Sequence, residues 1–237
     1  RAGRISPDMP TGEGSMPELT SEQLQALLNP DKARIFRIVR RDNLRWILKN
    51  GVHCSSSAKK DPGYVTIGHS DIIQMRTTRA VPIPPGGFLS DYVPFYFTPF
   101  SMMAFNIKTG FNGVRQRENS EIVILVSSLP RLVEHEVPFV FADRHAWYHW
   151  AKFSNDPAKL TRIDWPILQR KDFRRDNDDP AKTERYQAEA LIHKRMPISA
   201  LSGIACYDDS VATTISDLCD ELGVEVTVRS RPTWYFT

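Results

Sequence analysis

A carboxylate and an amide two residues apart on an extended segment can face one cleft, and Gln187-Ala188-Glu189 has that spacing. If Tyr186 to His193 is a strand, Gln187 and Glu189 project from one face, and Ala188, Ala190 and Ile192 from the other. A carboxylate so placed can grip a ribose hydroxyl and stabilise the positive charge that grows as a glycosidic bond breaks. A helix with Glu189 in solvent would account for the same triplet. Arg76 closes the run Ile67-Gly-His-Ser-Asp-Ile-Ile-Gln-Met-Arg76. A guanidinium near a helix end suits a pyrophosphate, which it binds through paired hydrogen bonds. A solvated surface arginine is the plain alternative.

Two aromatic stretches add candidates. In Asp91-Tyr-Val-Pro-Phe-Tyr-Phe-Thr-Pro-Phe100 the alternation places Tyr92, Pro94 and Tyr96 on one face, with Val93, Phe95 and Phe97 on the other. Such rings can flank a nicotinamide or a nucleobase, and a buried core strand would look the same. Phe141-Ala-Asp-Arg-His-Ala-Trp-Tyr-His-Trp150 reads as part of a helix over 144–153, and Trp147, Tyr148 or Trp150 could stack on a base or fill a core. His145 and His149 are four apart, but no third ligand and no HExxH glutamate accompany them, so no metal site is expected. The chain carries no Walker A loop, no dinucleotide-binding glycine fingerprint, no Gly-x-Ser-x-Gly and no kinase signature.

The elements that must hold these groups alternate between helical and extended patterns, which predicts an α+β fold. Residues 1–16 read as a disordered leader or a cloning scar, and 17–237 as one domain. Thr20 or Ser21 caps a first helix; Arg34 to Val39 is a strand; Asp42 or Asn43 caps a helix that stops at Gly51. Residues 52–91 are loop-like, and strands follow at Tyr92–Phe97, Glu121–Val126 and Pro138–Phe141. Near the C-terminus, Ser210–Leu222 is an amphipathic helix ended by Gly223, with strands at Glu225–Val228 and Trp234–Phe236.

The 237 residues, 41% hydrophobic and 25% charged, suffice for a proper core. The apolar runs are too short to span a bilayer, and the three unpaired-looking cysteines suit a reducing cytoplasm. The net charge of +3 is mild, but Arg34, Arg37, Arg40, Arg41, Arg45 and Lys49 against one acid, Asp42, could meet phosphates.

The order of four blocks resembles the DarT family of DNA ADP-ribosyltransferase toxins. They are Ile35-Phe-Arg-Ile-Val-Arg-Arg-Asp-Asn-Leu44; Ile67 through Arg76 to Val81-Pro-Ile-Pro-Pro-Gly-Gly87; Asp91-Tyr-Val-Pro-Phe-Tyr-Phe97; and Gln187-Ala-Glu-Ala-Leu-Ile192. The resemblance implies an ADP-ribosyltransferase fold, two packed β-sheets around an NAD⁺ cleft with peripheral helices. It implies Glu189 as the catalytic glutamate and Arg76 as the active-site arginine. Arg37, Asn43, Leu44, Ile67, Arg76 and Tyr92 would contact NAD⁺, the co-substrate, and Gln187, Trp147 and Tyr148 the single-stranded DNA. An antitoxin with a de-ADP-ribosylating domain is implied as partner. Arg37, Ser90 and Phe100 stand where the family commonly has histidine, histidine and arginine, which favours guanine over thymine as the target base. The rival readings are a transferase acting on protein or RNA, and a non-catalytic nucleic-acid-binding module built on the basic stretch.

Extruding a paired base costs a few kcal/mol. A single-stranded oligonucleotide is therefore expected to be modified many-fold faster than the same strand in a duplex, in initial-rate assays with labelled NAD⁺; equal rates would refute it.

Overall fold

The structure, a computed structural model, describes residues 18–68 and 70–237. The expected leader at 1–16 lies outside the described residues. Among the described residues ten strands are formed: β1 Arg34–Arg40, β2 Val52–His53, β3 Tyr92–Tyr96, β4 Ile122–Ser128 and β5 Phe139–Ala142 come first. They are followed by β6 Phe153–Ser154, β7 Glu189–His193, β8 Arg195–Met196, β9 Gly203–Cys206 and β10 Val228–Ser230. The helices are α1 Ser21–Leu27, α2 Leu44–Asn50, α3 Ser70–Met75, α4 Met102–Thr109, α5 Leu129–Glu134, α6 Trp165–Gln169, α7 Lys182–Tyr186 and α8 Asp209–Leu222.

An eight-stranded sheet runs in the order β10-β9-β4-β1-β3-β7-β5-β6, beside a two-stranded sheet of β2 and β8. The α+β, two-sheet ADP-ribosyltransferase architecture expected from the resemblance is present, with very unequal sheets. Pleating divides β3 as its alternation predicts. Val93, Phe95 and Phe97 enter the main core with Phe36, Phe141, Ala190 and Ile192. Tyr92 faces the other way, into a smaller cluster with Val140, Ala142 and Leu191. Glu189 and Tyr96, alternating with the core residues on β7 and β3, share that second face.

Local signals account for several boundaries. Thr20 and Gln23 form a reciprocal capping box at α1. Asp208 caps α8, and left-handed Gly223 ends it after Val211, Ile215 and Cys219 have been buried. No helix among the described residues is long and apolar enough to cross a membrane.

Other expectations are corrected. Residues 144–152 form turns rather than a helix. β5 and β6 pair antiparallel, so the chain must double back, and the Lys152 amide donates to Asp143 Oδ1 at 2.9 Å to close the loop. The strand expected at Tyr186–His193 begins only at Glu189; Tyr186 ends α7, and Gln187 lies in the turn between them. Asn43 precedes α2 without capping it by its side chain. The penultimate strand falls at Val228–Ser230, three residues after the expected start, because its parallel pairing to β9 sets Val228 opposite Ile204. Trp234–Phe236 is no strand: Pro232 opens a short 3₁₀ turn, and Trp234 then meets Phe36 edge-on.

Gly51 ends α2 at φ +82° and leads straight into the β2–β8 ribbon. A Cβ there would lie 2.6 Å from the Met196 carbonyl oxygen. With φ 82° and ψ 177° the residue occupies a region essentially reserved for glycine. Gly51→Ala is expected to lower the unfolding free energy by about 1–3 kcal/mol or more. Urea unfolding reads this as a lower midpoint, and an unshifted midpoint would refute it.

Candidate active site

Glu189 opens β7 and is wholly buried. It lies opposite Tyr96 of β3 on one side and Ala142 of β5 on the other. A buried carboxylate is retained as a charge only when paired and hydrogen-bonded. Its partner is Arg76, immediately after α3: Nη1 donates to Glu189 Oε2 at 3.0 Å and to Oε1 at 3.4 Å. Arg76 is itself buried, and its backbone carbonyl accepts from the Ser90 amide at 3.1 Å. A cation here also sits at the carbonyl end of α3, where the helix dipole favours it.

Two guanidinium nitrogens in this region are buried with no hydrogen-bond partner, Arg76 Nη2 and Arg37 Nε. Arg37 is anchored through Nη1, which donates to the Pro94 carbonyl at 2.8 Å. Unpaired buried donors are costly, and two of them beside a carboxylate suit a ligand rich in acceptors. Tyr96 completes the wall. Burial, and then the Glu189 charge, hold its phenol well above the ordinary tyrosine range, so it stays protonated and can donate.

His145 is the member that its residue type alone did not reveal. Its Nε2 lies 3.7 Å from Glu189 Oε1, with little of the side chain exposed. The Trp147 amide donates to His145 Nδ1 at 3.2 Å, so neutral imidazole carries its proton on Nε2, facing the carboxylate. Burial is the main cause that lowers its pKa; Glu189 opposes the shift and Arg76 adds to it. The expected helix would have put His145 on one face with His149, four residues on. On the observed turn it addresses Glu189 instead, and among the described residues no cluster of three or more metal-ligating groups occurs. The turn is stapled from two sides. Arg79 Nη2 donates to the Tyr148 carbonyl at 3.0 Å, and the His145 amide donates to the Glu184 carbonyl at 3.0 Å.

The remaining candidates are dispersed or differently engaged. Asn43 exchanges two 2.9 Å hydrogen bonds with the Val65 backbone, which pins the loop leading to Ile67 and α3. Leu44 is wholly buried in the main core, and Ile67 is half-buried in that loop. Tyr92 stands at the far end of β3, opposite His193, with its hydroxyl donating to the Gly86 carbonyl at 2.6 Å. It is a core residue, not part of the Glu189 wall. Gln187 does not share a face with Glu189, since it lies outside β7 and its Nε2 donates to the Thr183 carbonyl at 3.1 Å. Trp147 is half-buried, and Tyr148 stacks on the exposed ring of Trp150 at 5.1 Å. The basic stretch is neutralised in part: Arg40 pairs with Asp42 and Glu121, and Arg45 with Glu221. Of the three departures read as favouring guanine, Arg37 reaches this region with its side chain and Ser90 through its backbone amide. Ser90 is buried in the turn behind Arg76, and Phe100 packs edge-on against Phe236.

Residues 36–236 match the family model described as ssDNA thymidine ADP-ribosyltransferase, DarT. The chain belongs to the DarT family. A DNA ADP-ribosyl transferase of Escherichia coli O127:H6 is 51% identical over 212 residues, covering 90% of this chain and 97% of that protein. The solved structure of Thermus sp. 2.9 DarT in complex with ADP-ribosylated ssDNA superposes with a TM-score of 0.80 at 30% identity, over 87% of this chain and 98% of the other. The same DarT in complex with NAD⁺ superposes at 0.74 and 30% identity, over 87% and 99%. The DarT motifs thus converge here only in part, and Tyr96 and His145 join them from outside the set expected.

The His145 shift has a consequence for stability. Its folded pKa lies below the 6.5 of the unfolded chain, so the unfolded state binds more protons just below that pH. Stability is fully present above pH 6.5 and falls as the pH drops below it; His193, shifted the same way by burial, adds to the fall. His145→Gln is expected to unfold with a shallower decline between pH 7.5 and 5.5, measured as the change in denaturation midpoint. Equal declines in both proteins would contradict it.

Proposed function

We propose that this chain transfers ADP-ribose from NAD⁺ to a thymine of single-stranded DNA. The observation that carries the reading is the buried Glu189–Arg76 pair, with unpaired donors of Arg76 and Arg37 beside it, in a chain whose DarT match spans both. The donor set fits NAD⁺, whose pyrophosphate, riboses and carboxamide are rich in acceptors. NAD⁺ supplies the ADP-ribosyl group and a neutral nicotinamide leaving group.

In this reading Glu189 stabilises positive charge at the sugar carbon as its bond to nicotinamide breaks, an interaction stronger in the transition state than in the ground state. Arg76 and the Nε2 proton of His145 hold the carboxylate in place. The new bond joins the sugar carbon to a base nitrogen, which loses a proton, and Glu189 is the base at hand to receive it. Arg37 and the free nitrogen of Arg76 hold phosphate or ribose oxygens. The turn carrying Trp147 and Tyr148 offers rings beside His145 for an unstacked base. Thymine is preferred over guanine because the family description names thymidine, and of the three positions that favoured guanine Phe100 packs elsewhere and Ser90 meets Arg76 through its backbone. The resemblance supports an antitoxin that removes the modification. The three free cysteines, all buried, suit a cytoplasmic site of action.

Glu189→Ala is expected to lower transfer by at least about a thousandfold while NAD⁺ binding changes little, the signature of an interaction made in the transition state. The test incubates wild type and variant with NAD⁺ and thymine-only or guanine-only strands, followed by mass spectrometry of the nucleosides. Label on guanine alone would overturn the choice of base, and label only on added protein or RNA would overturn the choice of polymer. Residual activity of the variant within a few-fold would overturn the role of Glu189.

A further inference from the structure

Helix α4 touches the segments on both sides of the candidate active site. A Cβ at Gly68, just ahead of α3 and Arg76, would lie 4.0 Å from Met103 Cε. From the same helix, Phe105 meets Phe173 with ring centroids 5.3 Å apart, and Phe173 meets Tyr186 of α7 at 5.1 Å, shortly before Glu189. The loop at the C-terminal end of α4 is thus tied to the framework that holds Arg76 and Glu189.

That loop displays a ring. Phe111 is 57% exposed, although an aromatic side chain gains most by burial. The backbone around it is constrained: Gly110, Asn112 and Gly113 all have positive φ, at 74°, 56° and 72°. For Asn112 this is the left-handed region, which asparagine adopts more readily than other residues with a side chain, so the loop is a tight turn. The Arg117 amide donates to the Ile107 carbonyl at 3.0 Å, and Gln116 Nε2 to the Lys108 carbonyl at 3.0 Å. These bonds lay residues 116–117 alongside 107–108, so Lys108 at the end of α4 and Arg115 bracket Phe111 along the closed loop. Arg117 pairs with Glu121, whereas Lys108 and Arg115 form no salt bridge among the described residues. Phe111 meets Phe105 edge-to-face with ring centroids 6.3 Å apart, and more than half of it stays open to solvent.

We propose that Phe111, flanked by Lys108 and Arg115, is a subsite for single-stranded DNA that stacks a base away from the reacting nucleotide and neutralises its phosphates. The proposal rests on the DNA-transferase reading and adds to it a second point of attachment. An exposed aromatic between unpaired cations is complementary to a chain of bases and phosphates, and every base has a face to stack. Such a subsite acts on strand binding and leaves the chemical step alone.

The test compares the full chain with Phe111→Ala, Phe111→Leu and Phe111→Trp, on thymine-containing strands of about 4 and about 16 nucleotides, the range a single-strand groove accommodates. Phe111→Ala is expected to raise KM for the longer strand by roughly tenfold, with kcat unchanged. Phe111→Trp should keep the wild-type KM. Phe111→Leu, which preserves apolar packing on Phe105, should behave like Ala. Arg115→Gln should flatten the slope of log KM against log salt by about 0.7. Unchanged KM in Phe111→Ala, or a leucine variant as good as tryptophan, would overturn the subsite. Thermal midpoints of the variants separate a loss of binding from a loss of fold. Wild type that labels no strand of either length would overturn the transferase reading itself, and the subsite with it.

Discussion

Taking a carboxylate wholly out of water is among the most expensive acts in folding, and Glu189 is taken out of water where two long segments of the chain converge. Arg76 makes this tolerable, and breaking such a pair by removing one member costs roughly 3–5 kcal/mol. The pair is not saturated, because Arg76 keeps one nitrogen without a partner. Replacing the pair with apolar side chains would often be neutral or stabilising in a core. Its presence at the edge of a second, smaller hydrophobic cluster therefore points to chemistry rather than to stability.

The surrounding structure keeps that pair from collapsing or hydrating. The sheet contributes the rigid half: β3 and β7 set Tyr96 opposite Glu189, and β1 brings Arg37 to the same region. Loops contribute the adjustable half, and each is fastened by a polar staple. Asn43 holds the loop before α3 through the Val65 backbone, and Arg79 holds the His145 turn through carbonyls. Trp150 Nε1 donates to Glu184 at 2.7 Å and joins that turn to α7. A strand alone could not bring Arg76 to Glu189, since the arginine follows a helix whose apolar residues Ile72, Ile73 and Met75 are substantially exposed. The ion pair, more than the burial of α3, binds that segment to the sheet.

Charge is organised by the same economy. The basic stretch in β1 and α2 looks on paper like a phosphate-binding face, yet Arg40 and Arg45 reach to carboxylates of distant segments, Glu121 and Glu221, and Arg37 turns to the Pro94 carbonyl. At the candidate site Arg37 and one nitrogen of Arg76 keep donors free, and on the rim around Phe111 Lys108 and Arg115 form no salt bridge among the described residues.

Periodicity and punctuation were enough to read much of the scaffold: the strand at Arg34, the alternating faces of Tyr92–Tyr96, the stop at Gly51 and the amphipathic helix closed by Gly223. Those features depend on neighbours in sequence, so the sequence carries them locally. Motif resemblance also singled out Glu189 and Arg76, whose side chains the fold then brings to 3.0 Å. What no local pattern contained was the choice among contacts between segments far apart. The turn at 144–152 replaced a helix because β6 had to pair with β5, and that pairing aimed His145 at Glu189 instead of at His149. Tyr92 and Tyr96 have the same type and the same face, and only the register of β3 against β7 decides that Tyr96 meets the carboxylate. Tertiary structure decided these points because burial, register and ion pairing are set by residues far apart in the chain, 113 positions for Arg76 and Glu189.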